Sequence, residues 1–505
     1  MWSKESLTDF FDAQLSGLPL ILVSNREPYR HQYVGGEIEW EQPASGVTAA
    51  LEPIMRTCGG TWIAHGSGDA DADVVDVNNR IGVPPDDPRF TLRRVWLTRE
   101  EEMGYYFGLA NQALWPLCHV TFTRPSFVPE DWEMYRAVNE KFADAVLEEA
   151  GNEPALVFIQ DFHFALLPRM IKERNPNLIV AQFWHIPWPN PEVFRGFPWK
   201  EELLDGMLGS DLLGFHIRFH CQNFLDTVDN TFEARIDRER FEVRRNHKTT
   251  TVRPFPISID FAEFSAAAGS KTTEADMDRW RRDLGIDDQL IAIGVDRMDY
   301  TKGILERFRA LDRLLKLYPE YRERLVFVQI AVPSRSRIRE YQELEDQIEA
   351  VSDEINWRWA NRSWRPIILL KRQFPQARLM GLYRLADCCV VSSLHDGMNL
   401  VAKEFVASRT DEDGVLVLSD FAGASRELTD ALIVNPFDEV QLAESLRTAL
   451  RMTREERRRS MQKMRAVVAD SNIYRWTGKI LSALLRLKVG VHAHAAAASV
   501  ERNFY

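Results

Sequence analysis

Short runs of aliphatic and β-branched residues recur along the chain, separated by longer stretches whose apolar positions return at helical spacing. In the first half the runs are Leu20–Ser24, Leu156–Gln160, Ile179–Trp184 and Leu212–Phe215. In the second half they are Leu290–Val295, Leu325–Ile330, Ile367–Leu370, Cys388–Ser392, Val415–Ser419 and Leu432–Val434. Apolar at nearly every position rather than at alternate ones, such runs predict strands buried on both faces. Between them lie amphipathic stretches. Leu442, Leu446, Ala449 and Leu450 make an i, i+4, i+7, i+8 stripe that opens after Asp438 and Glu439, the charge a helix N-terminus favours. Strand–helix alternation sustained in this way predicts parallel sheets and an α/β protein.

The alternation breaks at Pro254–Ile259, where two prolines restrict the backbone and make a connector. Each side carries its own set of strands. The expectation is two doubly wound domains, residues 1–253 and 254–473, facing one another across a cleft. Residues 474–488 are expected to form a C-terminal helix returning to the first domain, and residues 489–505 a tail. The tail holds His492 and His494 and four alanines, Ala495–Ala498, without a core pattern, and reads as a frayed terminus rather than a metal site. No repeat at solenoid spacing is evident.

Length supports two domains, since 505 residues exceed what one core usually serves. At 45% hydrophobic and 27% charged, the balance is that of a folded soluble protein. Lys plus Arg number 63 against 75 Asp plus Glu, a formal charge of −12, which disfavours a nucleic-acid binder. A local basic pocket for a phosphorylated small molecule remains compatible with that sum. Cys58, Cys118, Cys221, Cys388 and Cys389 contain no CxxC pair and fit buried thiols in a reducing compartment. The first residues show no secretory pattern and no apolar run reaches membrane-spanning length, so the expected location is the cytoplasm.

In doubly wound sheets ligands gather beyond the carboxyl ends of the strands, so the residues that follow each run carry the candidate chemistry. The first run leads into Arg26, whose planar fork suits a phosphate or carboxylate; a surface ion pair with Glu27 is the plain alternative. Pro43–Val47, with Gly46, precedes a helical stretch over Thr48–Met55 and reads either as an anion-binding turn or as ordinary capping. Two neighbouring strands end in Asp161-Phe162-His163 and in His185, a pairing that points to a site; a metal would need more ligands than the sequence offers. In the second half Arg297 and Lys302 lie five apart in a loop that ends in Gly303, a plausible diphosphate clamp. The next strand presents Arg335. Asp396 and Glu404 follow another strand, with Gly397 between them allowing close backbone approach to a ligand.

At these residues the sequence resembles the trehalose-6-phosphate synthase family of retaining glycosyltransferases, from about Leu20 to Leu487. The segments that carry the resemblance are Ser24-Asn25-Arg26, Tyr105-Tyr106 with Leu114-Trp115-Pro116, Gln160–His163, His185–Pro189, Asp211–Phe215, Asp296–Gly303, Asp396–Glu404 and Ser419–Ala424. The resemblance implies two Rossmann-like domains in the GT-B arrangement. It implies a donor site of Gly46, Arg297, Lys302, Asp396, Asn399, Leu400, Val401 and Glu404, and an acceptor site of Arg26, Tyr106, Trp115, Asp161 and Arg335. Asp161, His185, Arg297 and Lys302 would be the catalytic set. The implied reaction moves glucose from a nucleotide diphosphate glucose, UDP-glucose for preference, to glucose 6-phosphate, giving α,α-trehalose 6-phosphate, a product suited to osmoprotection. No cofactor is required and no metal site is implied, a divalent cation being at most stimulatory. The partners are small-molecule substrates, with no nucleic acid and no membrane, and with homo-oligomer formation open.

Departures from the family pattern leave the acceptor less secure than the reaction class. Gln160-Asp161-Phe162-His163 stands where the family usually has His-Asp-Tyr-His, and Pro256–Ile259 reads Pro-Ile-Ser-Ile where Pro-Ile-Gly-Ile is usual. Arg26-Glu27-Pro28-Tyr29 and Arg94–Thr98 are similar to glucosylglycerol-phosphate synthases, whose acceptor is glycerol 3-phosphate; that is the alternative function. Ala234–Glu239 is similar to pseudoglycosyltransferases, which depart from the donor motifs kept here. A non-catalytic sugar-phosphate sensor is the reading from a different class.

Overall fold

The structure, a computed structural model, describes residues 2–15, 18–43 and 46–501, with 488–501 described as backbone alone. The chain divides into two compact units, Met1–Phe255 together with Tyr474–Tyr505, and Pro256–Ile473.

The first unit is built on one ten-stranded sheet. Its strands are β1 (Leu20–Arg26), β4 (Thr61–His65), β5 (Arg80–Val83), β6 (Phe90–Val95), β7 (Leu156–Gln160), β8 (Ile179–Phe183), β9 (Leu212–Phe215), β10 (Arg235–Asp237), β11 (Glu242–Arg245) and β12 (Lys248–Pro254). A separate hairpin pairs β2 (Arg30–Val34) with β3 (Glu37–Glu41). The order is β10-β11-β12-β9-β8-β7-β1-β4-β6-β5. From β12 through to β6 all pairs are parallel, and antiparallel strands close both edges. After β1 the chain builds outward through β4 and β6, then returns to lay β7 on the other side of β1. That reversal is a topological switch point, and the ends of β1 and β7 frame it.

The second unit repeats the plan with six parallel strands: β13 (Leu290–Arg297), β14 (Leu325–Val332), β15 (Ile367–Leu370), β16 (Cys388–Val391), β17 (Val415–Ser419) and β18 (Leu432–Val434). Their order, β15-β14-β13-β16-β17-β18, places its switch point between β13 and β16. Every all-apolar run read from the sequence is a strand. The strands the sequence hid carry polar residues, and β6 is the clearest case. Its Arg93 and Arg94 are buried in the sheet because carboxylates meet them, Glu148 and Glu149 on Arg93, Glu27 and Asp71 on Arg94.

The helix Ile473–Glu501 brings Trp476 against the first unit's sheet. Its indole N–H donates to Phe255 O at 3.0 Å and its ring packs edge-on to Phe183. The backbone stays helical past residue 489, where an irregular tail is expected, in keeping with the high helix propensity of its alanines. The side chains of His492 and His494 lie outside the described residues, as do residues 502–505.

Gly303 turns the chain from the loop after β13 into the helix Ile304–Leu317 with φ +63°, and a Cβ there would stand 2.1 Å from Ser392 O. Gly303→Ala is therefore expected to destabilise the second unit by about 1–3 kcal/mol, read as a lowered urea midpoint. An unchanged midpoint would show that the turn is not under this constraint.

Candidate functional site

The carboxyl end of β1 is bent rather than regular, with a shift in register between Val23 and Arg26. Ser24 Oγ donates to Arg26 O at 2.7 Å and accepts the Trp62 indole N–H at 2.8 Å, which fixes the bend. Beyond it lies a pocket of about 210 Å³ whose lining includes Asn25, Arg26, His65, Glu102, Tyr105 and Tyr106. The exposed Arg26 donates through Nη2 to Tyr106 OH at 3.4 Å, and Tyr105 OH donates to Asn25 Oδ1 at 3.1 Å. Both tyrosines come from the π-helical stretch Glu102–Leu114, whose wider turn leaves carbonyls to be met otherwise. Asn111 Nδ2 meets one, Tyr106 O, at 2.7 Å. The His163 ring stacks on Tyr106, centroids 5.8 Å apart and planes 11° from parallel.

Behind the pocket wall sits a buried charge cluster. Arg94 donates through Nε to Glu27 Oε2 at 2.9 Å and pairs through Nη2 with Asp71 Oδ1 at 2.7 Å. Glu27 Oε1 accepts the Ser67 N–H and hydroxyl at 2.9 and 3.0 Å. The expected alternative for Glu27, a surface ion pair with Arg26, is thus corrected: Glu27 is 1% exposed and its partner is Arg94. Burial, with the Asp71 carboxylate beside it, pushes Glu27 up from 4.5 to about 8. Asp71 is held well below its ordinary value: burial opposes this, but hydrogen bonds from His31 and Glu27 and the Arg94 charge prevail. At neutral pH the two carboxyls therefore share one proton against one guanidinium.

At the ends of β7 and β8, Asp161 adopts φ +75°, a region costly for a residue with a Cβ. Its Oδ1 accepts the backbone N–H of Phe162 at 2.9 Å and of His185 at 3.1 Å, tying the two strand ends together. The buried His185 bonds through Nε2 to Gln160 Oε1 at 2.9 Å. Burial, reinforced by His163, pushes His185 down to about 3, so its ring is neutral at physiological pH. Trp115 is buried, its ring against His119 and Phe162, and is not among the residues that line the pocket beyond β1. Gly46 opens the helix Gly46–Cys58, while Ala44 and Ser45 lie outside the described residues.

In the second unit the predicted cations converge on two carboxylates at the switch point. Asp299, 1% exposed, accepts Arg335 Nη1 at 3.0 Å and Tyr341 OH at 3.3 Å, and lies 3.8 Å from Arg297 Nη2. Burial raises its affinity for a proton, but Arg335, Arg297 and Lys302 outweigh that and hold it below the ordinary value. Arg297 Nη1 also donates to Ser334 Oγ at 3.3 Å, its side chain one-third exposed. Lys302 Nζ donates to Asp396 Oδ2 at 2.6 Å, an oxygen that Asn399 Nδ2 also approaches at 3.3 Å. Asn399, at φ +74°, caps the helix Leu400–Ser408 through its Oδ1 on the Ala402 N–H. Leu400 and Val401 form the first turn, whose amides have no partners within the helix. Glu404 lies one turn on, its Oε2 accepting Tyr383 OH at 3.0 Å, and burial raises its pKa despite that bond.

The sequence passed over the residues that hold these groups in place. Arg307, fully buried, donates to Asp296, Gln329, Ser392 Oγ and the carbonyl of Lys302. A Cβ on Gly294 would stand 2.0 Å from its Nη1, so glycine at that strand position admits the guanidinium. Arg307 lies on an amphipathic helix, where an arginine reads as a solvated charge; Gly294 inside an apolar run was the available signal. Among the described residues no three His, Cys, Asp or Glu side chains are grouped to hold a metal ion, and no helix is long and apolar enough to cross a membrane.

Two doubly wound units, one with cations clustered at its switch point and the other with a polar pocket at its own, define a glycosyltransferase of the two-Rossmann, GT-B class. The model of glycosyltransferase family 20 matches residues 19–486, and the chain belongs to that family. It is similar to the trehalose-6-phosphate synthase of Mycolicibacterium gilvum, 37% identical over 472 residues that cover 92% of this chain and 93% of that one. The corresponding protein of Mycolicibacterium smegmatis is 37% identical over 473 residues, covering 92% of each. Among solved structures it is similar to an α,α-trehalose-phosphate synthase (UDP-forming) from Burkholderia xenovorans in complex with glucose-6-phosphate. That match has a TM-score of 0.83 at 30% identity and covers 92% of this chain and 99% of the other.

Replacing Glu27 by Gln removes the shared proton's titration. A folded-state pKa raised from 4.5 to about 8 contributes stability that is complete below 4.5 and is lost as pH rises through 8. Wild type is therefore expected to lose unfolding free energy relative to Glu27→Gln across that window, measured by urea denaturation at several pH values. A difference that does not change with pH would contradict the shared proton.

Proposed function

We propose that the chain transfers glucose, with retention, from UDP-glucose to glucose 6-phosphate and so makes α,α-trehalose 6-phosphate. The observation that carries this reading is the pair of cations at the end of β13, Arg297 and Lys302, held in place by Asp299, Ser334 and Asp396. Breaking the bond between the anomeric carbon and a diphosphate oxygen leaves negative charge on the diphosphate, and cations already in position stabilise it without reorganising. Lys302 exchanges its bond to Asp396 for the diphosphate. Asp396 is thereby released to accept hydrogen bonds from the donor glucose. The amides of Asn399–Val401 approach the same ligand, with Gly46 at the donor phosphates and Glu404 on the ribose hydroxyls.

Arg26, Tyr106, Trp115 and Arg335 take the acceptor phosphate, and Asp161 and His185 flank the reacting sugars. As the donor bond breaks, the anomeric oxygen of glucose 6-phosphate bonds to the same face of the donor carbon, and its proton passes to the departing diphosphate oxygen. His185, neutral well below physiological pH, is suited to hydrogen bonding and not to delivering a proton. Relatives of this chain named trehalose-6-phosphate synthase, and a UDP-forming one bound to glucose-6-phosphate, support the choice of both substrates. The cytoplasm is the compartment proposed for this activity.

Nucleotide release and product identity, measured with several nucleotide-glucose donors crossed against glucose 6-phosphate and glycerol 3-phosphate, test the assignment. Turnover with glycerol 3-phosphate alone would overturn the acceptor, and release with neither would overturn the enzyme reading. Arg297→Ala is expected to lower kcat by about 10²- to 10³-fold with an unchanged melting temperature; near-normal turnover would remove the clamp. Arg26→Ala is expected to raise KM for the acceptor by about 10- to 100-fold and to leave KM for the donor in place. A KM that does not move would take Arg26 off the acceptor phosphate.

A further inference from the structure

The pocket beyond Arg26 contains a histidine that none of the assignments above uses. Val23 and Arg26 on β1 pair with Ile63 and His65 on β4, so His65 is the cross-strand neighbour of Arg26 at the strand ends. Its ring is held in one state. Nδ1 lies 3.2 Å from Val95 O, and a carbonyl only accepts, so Nδ1 carries the proton. The same carbonyl takes the Gly66 N–H at 3.2 Å, and a Cβ on Gly66 would stand 2.4 Å from the Trp96 ring. The backbone beneath the imidazole is therefore confined between β1 and β6.

With Nδ1 protonated, Nε2 holds a lone pair in the neutral ring, the form that burial favours. Among the described residues it has no hydrogen-bond partner, and it is not sealed in the core: His65 is half-buried and lines the pocket together with Arg26, Asn25 and Glu102. Burial holds the ring below its ordinary pKa, although Glu102, Asp71 and Glu101 pull the other way. The imidazole is thus an acceptor set beside a cation, not a second cation. A ligand whose anionic end is gripped by Arg26 meets at His65 a group that rejects anions and takes hydroxyl donors.

We propose that His65 is a specificity-determining residue of the acceptor pocket, its Nε2 accepting a hydrogen bond from a ring hydroxyl of the sugar phosphate that Arg26 holds. The inference rests on the reading of this pocket as the glucose 6-phosphate site. It distinguishes a hexose phosphate, which carries hydroxyls along the ring, from a small or deoxygenated phosphate that would leave Nε2 desolvated and unpaired.

The test uses the full chain and steady-state kinetics with glucose 6-phosphate and its 2-, 3- and 4-deoxy analogues as acceptors. In wild type one analogue is expected to fall below glucose 6-phosphate by about 10- to 100-fold in kcat/KM. In His65→Phe, which keeps a flat ring without an acceptor, that ratio is expected to shrink to about threefold or less. His65→Asn, which returns an amide oxygen, is expected to recover part of it. If His65→Phe fails to fold, His65→Leu reads the same ratio. An equal ratio in wild type and the apolar variant, or a wild type indifferent to every deoxy position, overturns the proposal while glucose 6-phosphate remains the acceptor. Wild type that turns over glycerol 3-phosphate but not glucose 6-phosphate overturns the acceptor reading and this inference with it.

Discussion

A guanidinium withdrawn completely from water needs partners for its donors, and Arg307 finds four of them around the switch point of the second unit. Nη1 spans Asp296 and Gln329, one on each of the paired strands β13 and β14, while Nε reaches Ser392 just past β16. Nη2 takes the carbonyl of Lys302. Three neighbouring strands, β13, β14 and β16, and the loop that carries a predicted catalytic lysine are thereby tied to one rigid planar group. Removing one partner would leave an uncompensated charge in the interior, at a cost of about 3–5 kcal/mol, so the loop cannot drift without disturbing the sheet. Gly294 is what the sheet gives up to make room. Arg297 and Lys302 are in turn braced by other carboxylates, Asp299 and Asp396, that are separate from this buried pair.

The first unit solves the same problem with a different surplus. Around Arg307 one guanidinium meets one buried carboxylate, Asp296, and neutral amide and hydroxyl oxygens. Around Arg94 one guanidinium meets two carboxylates, and the excess is absorbed by a proton on the Glu27–Asp71 pair. Both clusters lie directly behind loops that leave the switch point. Glu27 follows Arg26 in the chain and fastens Ser67 through two hydrogen bonds, so the wall of the pocket beyond β1 is anchored on the inside while Arg26 stays exposed on the outside. Adjacent residues of one tetrapeptide thus take opposite roles, and spacing alone could not have separated them.

That division explains what could be read in advance. Strands buried on both faces announce themselves as unbroken apolar runs, and β1, β7, β8, β9 and all six strands of the second unit were legible for that reason. β4, β6 and β12 were not, because Thr61, His65, Arg93, Arg94 and the threonines of β12 interrupt the pattern. Their burial depends on partners distant in sequence, Glu148 and Glu149 among them, that only the fold supplies. Candidate ligand-facing residues at strand ends were visible because topology predicts where ligands gather. The braces Asp299, Arg307, Gln329 and Tyr383 were not, since each looks like an ordinary surface or core residue until its neighbours are known. Lys403 and Glu404 make the point in one dipeptide. Lys403 turns into the core onto Ile257 O and Glu427, and only Glu404 presents a carboxylate, steadied by Tyr383.

Two histidines at strand ends then acquire a common logic. His185 is kept neutral by burial and bonds through Nε2 to Gln160; His65 is kept neutral by burial and bonds through Nδ1 to Val95 O. Each has one nitrogen committed to an oxygen of the protein. Burial pushes both rings down, His185 to about 3, and the carboxyl raised to about 8, Glu27, is sealed in its cluster with Arg94. A transfer in which the departing diphosphate itself takes the acceptor's proton places no demand for a protein base on these groups. What it does demand is fixed cations for the charge that develops and fixed acceptors for the hydroxyls that do not react. Under the proposed transfer, cations anchored on carboxylates and imidazoles anchored on backbone and amide oxygens would meet those two requirements separately.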